Sequence, residues 1–286
     1  MIAFFGMGLL GSNFVRAYRR RGEDVQVWNR TAEKARALSS EGARAFADPA
    51  EAAAGATRIH LTLSDDAAVD DVLERARPGF AKGVIIVDHT TTSPTGTRAR
   101  AERWQARGIE FQHAPVFMGP QNALESTGLM LASGDAARVE RLRPALEKMT
   151  GKLVYFGSEP ERAASFKLFG NLFLMFMTAG VAEVLTLAKA LDVKPEDAGA
   201  LFDVFNPGTS LPARVKRMVG GDFHNPSWEL AMARKDARLM LEEGERHGLP
   251  LPMLPAIAAT MDRFLERGHG HDDWTVIGSD ALPKKS

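Results

Sequence analysis

The sequence predicts an α/β fold, a parallel doubly wound sheet over residues 1–160 followed by an all-helical domain over residues 161–286. Three observations carry this. Short β-branched and aromatic runs alternate with helical tracts between residues 2 and 156, the rhythm of strand–helix–strand units. That rhythm stops at Gly157-Ser158-Glu159-Pro160, beyond which only helical patterns remain, broken at Pro207, Pro226, Pro250 and Pro252. The first apolar run also passes directly into a glycine-rich turn and then a helical tract.

Ile2-Ala3-Phe4-Phe5 reads as a short buried strand. The turn Gly6-Met7-Gly8-Leu9-Leu10-Gly11 is a G-x-G-x-x-G pattern that opens into a helix through Ser12 and Tyr18. Gly6 permits the tight turn, Gly8 lets backbone approach a pyrophosphate, and Gly11 lets helix and strand pack closely. The free N–H groups and positive end of the new helix then face phosphate. Such a pattern alone is a weak signal; its place between a strand and a helix, with a second strand to follow, makes it a Rossmann dinucleotide-binding turn.

Residues 24–29 form that second, alternating strand, followed by a helix over 31–40. Residues 43–46 and 57–63 read as strands and 65–76 as a helix. The unbroken β-branched run of 84–88 predicts a strand buried on both faces. A helix over 94–107 and a strand over 109–112 follow. Residues 129–133 and 152–156 are expected to be the last strands of the same sheet, with a helix over 135–149 between them. The helix predicted over 163–191 is apolar on nearly every side, and residues 168–182 carry no charge. A membrane span needs ~20 apolar residues, and this run holds Gly170, Asn171, Thr178 and Gly180. It predicts a buried spine for the second domain and no membrane segment. A partner subunit is a further cover for so apolar a helix, so a homodimer, or a dimer of dimers, is expected. The chain closes on the polar Pro283-Lys284-Lys285-Ser286.

Composition narrows the function. Lys plus Arg and Asp plus Glu are equal at 36 each, so no overall field attracts nucleic acid or an anionic membrane. The absence of cysteine removes disulfides, thiolate catalysis and cysteine metal sites. No positively charged leader precedes the first strand, and a cytoplasmic enzyme is the expectation.

The residue that closes the second strand distinguishes the two nicotinamide cofactors. An acidic side chain there bonds the ribose 2′-OH and repels a 2′-phosphate. Here the tip is Trp28-Asn29-Arg30-Thr31, with Lys34 one turn on and no acid. Arg30 can fork onto a phosphate and stack on adenine, and Thr31 can donate a hydroxyl. This reads as an NADP(H) site, against the plainer reading of a solvated arginine at a helix start. Asn29, Leu63 and Ser64 complete the cofactor set, together with the backbone of Met7, Leu9 and Leu10. Asp88-His89-Thr90-Thr91-Thr92-Ser93-Pro94 lies beyond the carboxyl end of a central strand, where open α/β sheets bind ligands. Ser93 caps the helix that begins at Pro94, which leaves Thr90 and Thr91 free.

Lys167 stands at the start of the apolar helix, with Asn171 one turn later on the same face. Such a lysine could pass a proton to a carbonyl oxygen as hydride reaches carbon, with Asn171 holding that oxygen or orienting the lysine. The pair read alone also fits a lysine that snorkels to water.

With these residues in view, the chain resembles the β-hydroxyacid dehydrogenases, the family of 3-hydroxyisobutyrate dehydrogenase and the glyoxylate/succinic semialdehyde reductases. The resemblance runs through nearly the whole chain. It is carried by Gly6 to Gly11, Trp28 to Thr31, Asp88 to Pro94, His113-Ala114-Pro115-Val116, Lys167 with Asn171, Lys235-Asp236, and Gly268-His269-Gly270-His271-Asp272-Asp273. It implies an NADP-dependent oxidoreductase of a small aldehyde or keto acid, with Lys167 as general acid/base and Asn171 as its partner. It also implies Thr91 near the nicotinamide and Lys235 closing over cofactor and substrate, with Asp236 positioning it. The substrate loop, Val116, Phe117, Met118 and Gly119, departs from the family's D-A-P-V-S-G-G: Phe117 replaces the serine and Met118 a glycine. The family's glycines before the lysine are Glu161 and Ala163 here, and the first asparagine of its pair is Gly170. A phenyl ring cannot donate a hydrogen bond to a carboxylate, so an apolar carbonyl, or the imine of the related imine reductases, enters as an alternative. A non-catalytic NADP(H)-binding protein is the remaining one. His113 reads as structural. His269, His271, Asp272 and Asp273 match a closing segment that holds no metal, so no metal is expected. Trp228 and Phe223 are expected to pack the helical domain.

Overall fold

A computed structural model describes residues 1–283; Lys284, Lys285 and Ser286 of the polar tail lie outside the described residues. The chain divides into two compact units, Met1–Leu172 and Phe173–Ser286.

The first unit runs β1 (Ile2–Phe5), α1 (Leu9–Arg20), β2 (Val25–Trp28), α2 (Ala32–Arg36), β3 (Arg44–Phe46), α3 (Pro49–Ala53), β4 (Arg58–Leu61), α4 (Asp66–Ala76), β5 (Ile85–Asp88), α5 (Pro94–Ala106) and β6 (Glu110–His113). It continues with β7 (Val116–Phe117), α6 (Pro120–Glu125), β8 (Leu129–Ala132), α7 (Ala136–Leu146), β9 (Lys152–Tyr155) and the start of α8 (Arg162–Ala190). Six strands form one all-parallel sheet in the order β3-β2-β1-β4-β5-β6. Successive residues of β1 point to opposite faces. Ile2 and Phe4 join the core with Phe14, Val15 and Tyr18 of α1, and Ala3 and Phe5 join the one with Val69, Val72 and Leu73 of α4. Both faces are buried, as a sheet of crossover connections requires.

Residues 129–132 and 152–155 are strands, but they do not extend this sheet. They pair with β7 in a separate three-stranded sheet, β7-β8-β9, with β7–β8 antiparallel and β8–β9 parallel. The change falls at Pro115. It lies two residues past β6 and has no N–H to offer at the sheet edge, while its carbonyl accepts from Leu131 N–H (2.9 Å) and β8 pairs with β7.

In the second unit, α9 (Pro195–Val204), α10 (Leu211–Gly220), α11 (Leu230–Arg246) and α12 (Leu254–Glu266) follow the long α8. Its core holds Phe223, Leu230, Ala233, Ala237, Ala258, Met261, Phe264 and Val276, so Phe223 packs as expected, while Trp228 stands 40% exposed with its ring against Trp274. The closing segment caps α11: Leu230 N–H donates to Asp272 O (2.9 Å) and Ala231 N–H to Gly270 O (3.1 Å). Glu183 of α8 caps α12, its carboxylate accepting from Met253 N–H (2.7 Å) and Leu254 N–H (2.9 Å).

Helix α8 overturns its expected burial. Met175 is 69% and Phe176 64% exposed, and its most apolar stretch has no residue buried within the chain. By length and composition it is apolar enough to cross a membrane. A helix apolar on every side leaves no polar face to turn outward, and among the described residues nothing buries that stretch, although Ala163, Ala164, Ala188 and Ala190 at the helix ends are buried.

Candidate active site

The three glycines of the first turn have different structural jobs. Gly6 sits at φ +96°, and a Cβ there would lie 2.1 Å from Thr62 O. A Cβ on Gly11 would lie 1.9 Å from Gly6 O, so helix and turn touch backbone to backbone. Gly8 faces open space. No side chain caps α1 and its first turn holds no acid, so its leading N–H groups are left for an anion. In the turn before the helix, Met7 N–H is already engaged: it donates to Asn29 Oδ1 (2.8 Å), and the Met7 side chain lies in the core. Asn29 also donates to Thr31 O (2.8 Å), tying the glycine turn to the tip of β2. Leu9 is exposed and Leu10 packs partly against the core.

Beside this turn lies a cleft of about 290 Å³. It is lined by Gly6, Gly8, Asn29, Arg30, Thr31 and Lys34 on one side and by Leu63, Ser64, Ala68 and Val72 on the other. Arg30, Thr31 and Lys34 are exposed. Arg30 adds to the Ala68 N–H and Ser64 hydroxyl that hold Asp65 below its ordinary pKa. An open glycine at an uncapped helix start, with cations at the far end and no acid at the tip of β2, fits a dinucleotide carrying a 2′-phosphate. The sequence reading missed Arg75 of α4, which lines the same cleft with its guanidinium 5.3 Å from the Trp28 ring centre. Its only signal is a cation in the last turn of α4.

Beyond β5 the expected free hydroxyls separate. Thr90 is buried and engaged: its Oγ1 accepts from Leu63 N–H (2.9 Å) and its N–H donates to Asp88 Oδ1 (2.9 Å). Thr91 is exposed, with no hydrogen bond from its side chain among the described residues. Ser93 caps α5 through Gly96 N–H (3.0 Å). Behind this loop a chain of rings fixes its own protonation. His89 Nδ1–H donates to Ala114 O (2.7 Å), so His89 Nε2 accepts from His60 Nδ1–H (2.9 Å). His60 Nε2 in turn accepts from Arg58 Nε–H (2.7 Å). Both rings are neutral, and burial pushes their pKa down, that of His89 to about 4. His113 is buried and structural, 2.9 Å from Thr90 O, with its pKa also lowered by burial to about 4. Asp88, wholly buried, is raised to about 6 by desolvation.

Lys167 is carried on the first turns of α8, which start where Ala163 N–H donates to Ser133 Oγ (2.8 Å). Lys167 is half-buried, and its Nζ makes no ion pair or hydrogen bond among the described residues. Nζ lies 4.1 Å from the centre of the Phe117 ring. Burial lowers its pKa below the ordinary lysine value. Asn171 is partly buried one turn on. In the substrate loop, Val116 is buried in the core and paired with Met130, Met118 packs partly against the same core, and Gly119 begins α6 with its N–H on Asn122 Oδ1 (2.9 Å). Lys235 and Asp236 belong to the second unit, on α11, where they form an ion pair of 2.7 Å. Asp272 is held by His269 (2.7 Å) and His224 (2.9 Å). Asp273 is held by Ser227, Thr275 and Arg217.

Known proteins agree with this geometry. The NAD binding domain of 6-phosphogluconate dehydrogenase matches residues 1–157, and the NAD-binding region of NADP-dependent 3-hydroxyisobutyrate dehydrogenase matches residues 162–278. The chain is therefore an NAD(P)-dependent reductase of hydroxyacid dehydrogenase type, and the cofactor on which its residues and these matches agree is NADP(H). It belongs to the β-hydroxyacid dehydrogenase family. It is 29% identical over 284 residues to 3-sulfolactaldehyde reductase of Escherichia coli, covering 96% of this chain and 94% of the relative. It is 31% identical to the human cytokine-like nuclear factor N-PAC, over 96% of this chain and 50% of that protein. Among solved structures, the imine reductase of Myxococcus stipitatus in complex with NADP+ has the same fold, with a TM-score of 0.90 at 21% identity over 97% of this chain and 98% of that one.

Proposed function

We propose that this protein reduces a small aldehyde or keto acid to the hydroxy compound, with Lys167 as the general acid and NADPH as the reductant. The carrying observation is Lys167 itself: a half-buried ammonium with no counter-charge among the described residues, on one helix face with Asn171, in the same unit as a dinucleotide cleft. When bound, the cofactor supplies hydride to the carbonyl carbon. The chain's residues do the rest. Gly6, Gly8 and Gly11 let the turn and the α1 N–H groups close on the pyrophosphate, while Arg30, Thr31 and Lys34 hold the 2′-phosphate. Thr91 offers its free hydroxyl to the nicotinamide end. Lys167 Nζ gives its proton to the carbonyl oxygen, and its lowered pKa makes that transfer easier at neutral pH. Asn171 orients the ammonium or shares the oxygen. The loop of Val116, Phe117, Met118 and Gly119 borders the substrate.

A homodimer is part of this proposal. The apolar face of α8 needs a cover, and the second unit carries an apolar groove of about 540 Å³ lined by Phe176, Val184, Leu187, Met240, Leu254 and Ile257. A second copy is favoured over a bilayer because Glu183, mid-helix, is committed to capping α12. An imine reductase is the second reading, and the Phe117 ring in place of the family's serine hydroxyl favours it.

The test is NADPH oxidation against glyoxylate, succinic semialdehyde, uncharged aldehydes and cyclic imines, for the native enzyme and Lys167→Ala. Carbonyl turnover that loses a factor of about 10² to 10⁴ in kcat in the variant supports the reading. Imine turnover indifferent to the substitution replaces it. Tight NADPH binding with no turnover of any compound makes the protein a cofactor-binding protein without this chemistry.

A further inference from the structure

Phe117 and Gly170 occupy each other's space. A Cβ on Gly170 would lie 2.2 Å from Phe117 Cζ and 2.6 Å from Cε1, so the outer rim of the ring abuts the backbone of α8 three residues past the lysine. Lys167 Nζ stands over the same ring, 4.1 Å from its centre. β7 fixes the ring from the other side, since Phe117 pairs with Leu129 across a two-residue strand whose other member, Val116, is buried. The two departures from the family pattern in this region are thus one device: the glycine makes room for the ring, and the ring meets the ammonium.

We infer that Phe117, seated by Gly170, is a positioning and specificity residue that holds the Lys167 ammonium by a cation–π contact and selects carbonyl substrates without a carboxylate. This deepens the reductase reading and rests on it for the substrate. Two physical arguments carry it. First, among the described residues Lys167 has no carboxylate or hydroxyl partner, so the ring is the one group that restrains the ammonium and compensates its lost hydration. Second, a ring face carries the negative end of its quadrupole. It attracts the ammonium, and the side chain has no donor to replace the water that a carboxylate beside it would lose. A neutral chain ending in an aldehyde or ketone pays none of this and packs its methylenes on the ring.

The experiment follows Lys167 directly in the NADP+-loaded protein. Lysines are ¹³C-dimethylated, the Lys167 signal is identified by its loss in Lys167→Arg, and its titration is recorded for native protein, Phe117→Leu and Phe117→Tyr. Removing the ring should lower the Lys167 pKa by about half a unit to one unit, and tyrosine should restore it. The same signal then reports binding of butan-1-ol and 4-hydroxybutyrate, the alcohols of a matched neutral and anionic aldehyde. Native protein should bind the neutral alcohol at least tenfold more tightly, and Phe117→Ser should move that ratio at least tenfold toward the anion. An unmoved Lys167 titration in Phe117→Leu overturns the contact, and tighter binding of 4-hydroxybutyrate by native protein overturns the selectivity. Because neither readout needs turnover, failure to reduce butanal or succinic semialdehyde counts against the reductase reading and leaves this inference to be decided by the titrations.

Discussion

Lowering the pH from 7.5 to 5 should destabilise the first unit while its carboxylates are still mostly ionised, because its buried histidines cannot take up protons. His89 and His113 have folded pKa values of about 4 against 6.5 in an unfolded chain. Their neutral state favours folding fully above 6.5, and the benefit is lost as pH falls toward 4. At pH 5 the unfolded chain holds a proton on each ring and the native fold does not, which costs ~2 kcal/mol per histidine relative to pH 7.5. Asp88 works in the opposite sense. Its folded pKa of about 6 against 3.8 means that native protein binds its proton first, returning ~1.4 kcal/mol over the same interval. The net loss is ~2.5 kcal/mol, and His60, also lowered well below its ordinary value, deepens it. For a domain whose whole stability is ~5–15 kcal/mol, that is readily measured. Urea unfolding at the two pH values, followed by fluorescence in a Trp228→Phe/Trp274→Phe background, reports on Trp28 and Trp104 of the first unit alone. Equal or greater stability at pH 5 would refute the neutral His60–His89 chain. His89→Asn should remove close to its own share of the pH dependence.

Three other outcomes are expected. Arg30→Ala removes a charge-assisted contact worth ~1.5–3 kcal/mol, so calorimetry should show NADP+ affinity falling about 10- to 100-fold while NAD+ affinity stays within a factor of two. Gly11→Ala places a methyl 1.9 Å from a backbone oxygen, and the resulting shift of α1 should abolish dinucleotide binding and lower Tm; native-like binding would mean that α1 is not packed on the turn as described. Met175→Glu puts a charge on the most exposed large apolar residue of α8's charge-free run, and light scattering should show a monomer with unchanged circular dichroism, whereas a persistent dimer would place the interface elsewhere.

What the sequence made legible was whatever depends on local backbone rules. The glycine turn, the strand periods and the missing acid at Trp28-Asn29-Arg30-Thr31 each speak through a few adjacent residues. Non-local choices stayed hidden. That β8 pairs with β7 rather than with the main sheet turns on contacts at Pro115 and Val116 with residues more than ten positions away, which no local pattern reveals. Thr90 and Thr91 are indistinguishable in sequence, yet one is consumed by Leu63 N–H and the other has no side-chain hydrogen bond among the described residues. The apolar run of α8 predicts a covered helix equally well whether the cover comes from its own chain or a second copy.

The substrate loop shows why such choices are hard to read one residue at a time. Phe117 alone looks like the loss of a hydroxyl, and Gly170 alone looks like the loss of an amide, two defects in a polar site. Together they are complementary in shape, since the volume missing at 170 is the volume added at 117. The ring then supplies to the lysine an electrostatic partner that needs no hydrogen bond. Under the proposed function, a site rebuilt in this way keeps its proton donor and changes which substrate group stands next to it. On that reading, Lys167 and Asn171 bear on the reaction, while the Phe117–Gly170 pair bears on the substrate.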